Sequence, residues 1–82
     1  MITTANQVYD LISRIIRETR AAGRDDIANE LDAAMRLGSS GLEILGAIRK
    51  VLLAEKQVVP RFAAESEIDE IVHFVNRAFG AE

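Results

Sequence analysis

The fold of this chain is decided by the stretch SSGLEILGAIRKVLL, residues 39–53, which is the most densely apolar run in the sequence. Ser40 and Glu43, three residues apart, have the spacing of a capping box, in which each side chain bonds to the other residue's backbone amide. Gly38 fits the end of a preceding helix, because helix C-termini often need a positive φ. The stretch therefore predicts two helices that meet at a tight corner.

The helix that follows this corner is unusually apolar. Placed at about 100° per residue, its apolar side chains cover a little over half of the circumference, more than a surface helix normally shows. We therefore expect it to be buried on two or three sides. Its polar seam carries Glu43 and Lys50, and Gly46, Ala47 and Ala54 beside the seam are small enough to admit another backbone.

Arg49 projects inside the apolar arc of the same helix. A buried guanidinium needs a carboxylate or several carbonyl groups as partners. We expect Arg49 either to extend to the edge of the domain or to pair with Glu30, Asp32 or Glu18. The alternative is that Arg49 holds the carboxylate of a partner protein or the anion of a ligand.

Length and composition limit the class of protein. The 82 residues form a single domain, residues 1–82, and a chain of this size is marginally stable unless its helices pack well or it oligomerises. No cysteine is present, which fits a reducing cytoplasm. The sequence has neither a signal-peptide pattern nor an apolar run of about 18 residues, so we expect a cytoplasmic protein without a membrane span. A net charge of −3 makes nucleic acid an unfavourable partner.

Three further helices flank the apolar stretch. The first is expected at residues 5–22, between a Thr4–Gln7 capping box and Gly23. The second is expected from Asp25 or Asp26, acids suited to a cap, to residue 36 or 37, and the third from residue 41 to about 56. The fourth is expected at residues 67–79, before Gly80.

The segment around Pro60 interrupts the helical pattern, because proline lacks an amide hydrogen and restricts the residue before it. Residues 58–65 are apolar for a loop, so we expect Val59 and Phe62 to pack over one end of the domain. An early helical turn at residues 60–64 is an alternative, since proline favours the first helical position. The whole pattern predicts an all-α fold, a small antiparallel bundle of four helices with the third helix central.

The sequence nominates no catalytic, metal or cofactor site. Asp69 and His73 are one turn apart, but a metal site needs more ligands, and only Glu70 is nearby. The acids at residues 25–30 lack the spacing of a calcium loop. The short loop at residues 38–41 lacks the lysine of a phosphate-binding loop.

A basic ridge on the first helix is the remaining candidate for binding. It consists of Arg14, Arg17, Arg20 and Arg24, spaced three or four residues apart. Such a ridge can bind phosphate groups. Acids lie beside it and no aromatic residue interrupts it, so we interpret it as a solvated face. An acidic protein or a nucleic acid is the alternative partner.

The residues Gly38-Ser39-Ser40-Gly41-Leu42-Glu43-Ile44-Leu45-Gly46-Ala47-Ile48-Arg49 resemble a motif in a group of short bacterial helical proteins. In that group a Gly-Ser or Gly-Thr pair leads into a Leu-Glu-Ile-Leu-like segment that ends in arginine. The resemblance covers about a dozen residues and implies a small bacterial helical protein. It implies no activity and no site residues.

We therefore expect a non-enzymatic interaction protein that forms a homodimer. The expected interface lies on the fourth helix and the Pro60 segment, and comprises Val59, Phe62, Ile71, Phe74 and Phe79. The alternative is a helical module that binds and neutralises or regulates a different protein, as immunity proteins and antitoxins do. A metal-dependent enzyme that uses the Asp69–His73 face is the least favoured hypothesis.

Overall fold

Four α-helices and one 3-10 turn make up the secondary structure of residues 1–37 and 40–80, which the computed structural model describes. The helices are α1 (Ala5–Ala21), α2 (Asp25–Met35), α3 (Gly41–Ala54) and α4 (Glu65–Ala78), and the 3-10 turn spans Val59–Arg61. These described residues contain no β-strand. The prediction of a small all-α bundle of four helices is confirmed.

Helix α1 begins and ends at the predicted signals. The Thr4 hydroxyl oxygen accepts from the Gln7 amide at 3.3 Å, and the Gln7 side chain accepts from the Thr4 amide at 3.1 Å. Gly23 follows the helix with a φ of 79°, a conformation that glycine adopts at little cost. Local hydrogen bonding thus defines both ends of α1, as the capping pattern predicted.

Helix α2 begins differently from the prediction. Its N-cap is Arg24, which makes no side-chain capping hydrogen bond, so the prediction that Asp25 or Asp26 caps the helix is wrong. Both acids lie in the first turn, where they favour the positive end of the helix dipole. Arg24 pairs with Asp26 at 3.0 Å, and its hydrogen bond lowers the pKa of the Asp26 carboxyl.

Helix α3 begins where the opening motif predicted, because the Ser40 hydroxyl accepts from the Glu43 amide at 3.2 Å. The serine half of the predicted capping box is therefore present. The predicted C-cap glycine, Gly38, lies outside the described residues.

The chain after α3 turns at Pro60 and enters α4 earlier than predicted. The 3-10 turn begins at Val59, one residue before the proline, so that Pro60 occupies an early helical position. Helix α4 begins at Glu65. The Glu67 carboxylate folds back to accept from the Ala64 amide at 3.0 Å, which satisfies a donor that the helix itself leaves free.

The core lies between the helices and the Val59 turn. Its fully buried large side chains are Val8, Ile12, Ile15, Ile27, Leu31, Ile48, Leu52, Val59, Ile71 and Val75. Helix α3 packs against both α2 and α4. It runs antiparallel to α4, because Arg49 contacts Asn76, while Gly46, one turn earlier, faces Phe79, one turn later.

Helix α3 is less buried than its composition predicted. Leu45, Ile48 and Leu52 are buried, but Leu42 and Leu53 are 48% and 53% exposed. The expectation of burial on two or three sides is confirmed for the two sides that α2 and α4 cover, and the rest of the apolar arc stays exposed.

The surface of the single chain has an ordinary total area. Its accessible surface is 4811 Å², close to the roughly 4,850 Å² that the size scaling gives for a compact 9 kDa monomer. The radius of gyration, 11.7 Å, is also close to the roughly 12 Å expected for a folded chain of this length. The single chain is therefore as compact as a monomer of its length.

Candidate functional site

The expected interface residues divide into buried and exposed members. Val59 and Ile71 are fully buried inside the chain, so their assignment to a partner interface is wrong. Val59 is enclosed because the 3-10 turn folds onto the core, and Ile71 lies on the inner face of α4. Phe62 and Phe74 are half-buried against the core, and Phe79 is 45% exposed.

Arg49 finds its partners on α4. Its Nη1 donates to Asn76 Oδ1 at 2.7 Å, and its guanidinium carbon lies 4.9 Å from the centroid of the Phe79 ring. The predicted pairing with an acid of α1 or α2 is therefore wrong, because Arg49 faces the opposite side of α3 from those helices. The aromatic ring and the amide satisfy the cation where a carboxylate was expected.

Gly46 provides the space for this arrangement. A Cβ atom at Gly46 would lie 3.2 Å from Phe79 Cζ, tighter than an ordinary van der Waals contact. The sequence predicted that a small residue here would admit a neighbouring backbone. The structure places an aromatic side chain there.

The basic ridge of α1 is largely neutralised by acids of the same chain. Arg14 pairs with Glu67 at 2.8 Å, Arg24 pairs with Asp26 at 3.0 Å, and Arg20 lies 3.9 Å from Asp25. Arg20 also donates to Asn29 at 3.0 Å. Cations that already have acidic partners offer little additional attraction to phosphate groups.

The Asp69–His73 face shows no metal-binding geometry. Glu70, the third candidate ligand, lies 3.4 Å from the N-terminal ammonium group. Within residues 1–37 and 40–80, no group of three or more histidine and acidic side chains is arranged to hold a metal ion.

An apolar groove lies on the surface between α2 and α3. Its volume is about 400 Å³, and it is lined by Glu30, Ala33, Ala34, Leu37, Ala47, Lys50, Val51 and Ala54. The lining residues are spaced i, i+3, i+4, i+7 on each helix, so each set forms one continuous face. Four of them are alanines, and Leu37 at one end is 51% exposed.

The groove carries one charge of each sign, and neither has a counter-charge. Glu30 belongs to α2 and Lys50 to α3, and neither takes part in any ion pair found in the described chain. A hydrogen bond with the Glu55 side chain raises the pKa of the Glu30 carboxyl, and burial and the negative charges of Glu55 and Asp26 add to this effect. The Glu30 end of the groove is therefore acidic.

The sequence identified only part of this groove. Ala47, Lys50 and Ala54 were recognised as a seam of small and polar residues that could admit another helix. Glu30 was interpreted as part of a helix-start cluster and as a candidate partner for Arg49. The missed signal is the spacing of Glu30, Ala33, Ala34 and Leu37, which repeats on α2 the spacing of the seam on α3.

None of the described helices has the length and apolar character needed to cross a membrane. Comparison of the chain with protein-family models, with curated proteins and with solved structures gave no match. The resemblance to short bacterial helical proteins stays a prediction. The candidate site is therefore argued from its geometry alone.

Proposed function

We propose that this chain is a non-enzymatic interaction protein that associates with a second copy of itself. The observation that carries the proposal is the apolar groove between α2 and α3, which the fold leaves uncovered. Its alanines allow a second helix to approach closely, and burying the half-exposed Leu37 would add favourable apolar contact. The cysteine-free composition suits a reducing cytoplasm, where we propose that this association occurs.

The association we propose is between folded protomers. The accessible surface of one chain is that of a compact monomer, which supports an association between protomers that are already folded. A shallow groove lined by alanines buries less surface than the roughly 1,600 Å² of a standard interface. We therefore expect a reversible dimer with a dissociation constant in the micromolar range or weaker.

Sedimentation equilibrium of the full chain over a wide concentration range tests this proposal. We expect the mean mass to rise from 9.0 kDa towards twice that value as the concentration increases. Ala33→Arg, which places a long side chain in the groove, should abolish the rise. Leu53→Arg, on an exposed apolar position of α3 outside the groove, is the matched control. A constant mass of 9.0 kDa at millimolar concentration would show that the proposal is wrong.

The acidic end of the groove favours a second candidate function, binding to a different, basic protein. Asp26, Glu30 and Glu55 lie close enough to raise the pKa of Glu30, and the chain has a net charge of −3. An immunity- or antitoxin-like module would use such a surface to cover a basic target. Co-expression of the tagged chain with the product of its neighbouring gene tests this candidate. Recovery of the tagged chain alone would contradict it.

A further inference from the structure

We propose that the groove between α2 and α3 is the dimer interface itself, and that Lys50 of each copy pairs there with Glu30 of the partner subunit. This inference rests on the proposed function, self-association, and adds the symmetry and the charge pairing of the contact. It follows from three properties of the groove: the placement of its two charges, the spacing of its lining residues, and the crowding of acids at one end.

The two charges make the groove complementary to itself. Glu30 is on the α2 rim and Lys50 is on the α3 rim, and the structure gives neither an ion pair in the described residues. A two-fold axis brings the same surface of two copies together. A contact from Glu30 of one copy to Lys50 of the other is therefore repeated in the opposite direction. One acid and one base on opposite rims thus become two equivalent ion pairs.

The spacing along α3 places these groups within reach of each other. Glu30 and Lys50 line opposite sides of the groove. A two-fold axis that runs along the groove, parallel to the two helices, lays the α2 side of one copy on the α3 side of the other and keeps every residue at its own level along the groove.

Glu30 lies at the Ala54 end of the groove, because Glu55, the residue that follows Ala54, is the acid that acts most strongly on its carboxyl group. In the dimer, Glu30 of one copy therefore lies level with Ala54 of the partner subunit. Lys50 of the partner subunit is about one turn away along α3, a rise of about 6 Å, which a lysine side chain spans.

The acidic crowding around Glu30 gives this ion pair a favourable charge environment. Glu55 and Asp26 of the same chain both repel a negative charge on Glu30. A lysine ammonium from the second copy reduces that repulsion. A foreign helix would need a cation and an anion placed to match both rims, whereas a second copy supplies both by symmetry.

Charge reversal tests the inference and separates it from the proposed function. In Glu30→Lys, Lys50 of one copy meets a lysine of the other, and in Lys50→Glu two glutamates meet. We expect the dimer dissociation constant of each variant to be at least about tenfold higher than that of the unmodified chain. The double variant restores opposite charges and should associate within about threefold of the unmodified chain.

Mixing the two single variants gives the most specific result. In a symmetric interface, a Glu30→Lys chain and a Lys50→Glu chain restore both ion pairs. The unchanged lysine at position 50 of the first chain meets the unchanged glutamate at position 30 of the second. The two substituted residues form the other pair with their charges exchanged. We therefore expect the mixture to form a heterodimer more tightly than either variant alone forms a homodimer. Lys56→Glu, which reverses an exposed lysine outside the groove, is the control, and circular dichroism melts verify that each variant is folded.

Each remaining outcome contradicts at least one of the two proposals. If the unmodified chain dimerises and the single variants dimerise equally well, the pairing is wrong and self-association stands. If both single variants are monomeric and their mixture is also monomeric, the symmetric pairing is wrong. If the unmodified chain stays monomeric at millimolar concentration, both proposals are wrong.

Discussion

The guanidinium of Arg49 on α3 lies over the ring of Phe79, which follows the last turn of α4, with 4.9 Å between the guanidinium carbon and the ring centroid. The same guanidinium donates to Asn76 at 2.7 Å. These contacts connect the end of α4 to the middle of α3. They involve Arg49, which was a candidate for binding an anion, and Phe79, which was expected to contact a partner protein.

The stack between Arg49 and Phe79 should be measurable as a coupling energy. We expect Arg49→Met and Phe79→Leu to be coupled by about 0.5–1 kcal/mol in a double-mutant cycle, the range found for partly exposed cation–π pairs. The free energy of unfolding in urea provides the measurement. Arg49→Met combined with Leu42→Ala, at an apolar position of similar exposure, should give a coupling near zero. Equal values from the two cycles would contradict a specific stack.

Gly46→Ala should stabilise the protein more strongly when Phe79 is truncated. Alanine in a helix interior gains roughly 0.5–1 kcal/mol over glycine, but here its Cβ lies 3.2 Å from Phe79 Cζ and displaces the ring. In a Phe79→Ala background that contact is gone, so the full gain should appear. The difference between the two backgrounds, measured by thermal and urea unfolding, is the test. Equal effects in both would mean that the ring does not constrain Gly46.

The Arg14–Glu67 pair should give acid-sensitive stability. The hydrogen bond from Arg14 lowers the pKa of Glu67 below its ordinary value of 4.5, so this contribution is present above pH 4.5 and is lost as the pH falls through the lowered value. Because both side chains are about a third exposed, Glu67→Gln should cost only about 0.5–1 kcal/mol at pH 7. The cost should disappear once the pH falls below the lowered pKa of Glu67. Glu65→Gln in the same helical turn is the control.

Glu30 should show the opposite pH dependence. The hydrogen bond with Glu55 raises the pKa of Glu30, so its charged form is disfavoured in the folded chain, and this unfavourable contribution is relieved as the pH falls through the raised value. Glu55→Gln should therefore stabilise the protein at pH 7 by about 0.3 kcal/mol, a gain that vanishes below pH 4.5. Unfolding curves across this range test the sign. Asp69→Asn, on the exposed face of α4, controls for the loss of one charge.

Ile71 should behave as a core residue in every assay. Its side chain is fully buried within one chain, so Ile71→Ala should cost about 2–5 kcal/mol of unfolding free energy. The variant should dimerise like the unmodified chain at temperatures where it remains folded. A change in self-association without a loss of stability would indicate that Ile71 contacts a partner, contrary to this prediction.

The local features of this fold were readable from the sequence because they depend on groups a few residues apart. The Thr4–Gln7 box, the Ser40 cap and the glycine after α1 each satisfy backbone groups within one turn. Such interactions form whatever the rest of the chain does. The bounds of α1 and α3 were accordingly predicted to within two residues.

The assignment of faces could not be read in the same way. An apolar arc shows which positions of α3 favour burial, but not which neighbour covers each of them. Arg49 and its partner Asn76 are 27 residues apart, and Arg14 and Glu67 are 53 apart. These pairs form only when the helices pack at particular angles and registers, which the local sequence does not specify.

The sequence by itself thus determined four helices, the caps that begin α1 and α3, a turn at Pro60 and a core of aliphatic side chains, because hydrogen bonding and helical periodicity act locally. Only the tertiary structure decided that Val59 and Ile71 are enclosed and that Arg49 turns towards α4. It also decided that a groove between α2 and α3 stays open with Glu30 and Lys50 on its rims. The reason is that α3 has more apolar surface than its neighbours cover, and the packing of the whole chain determines which part remains exposed.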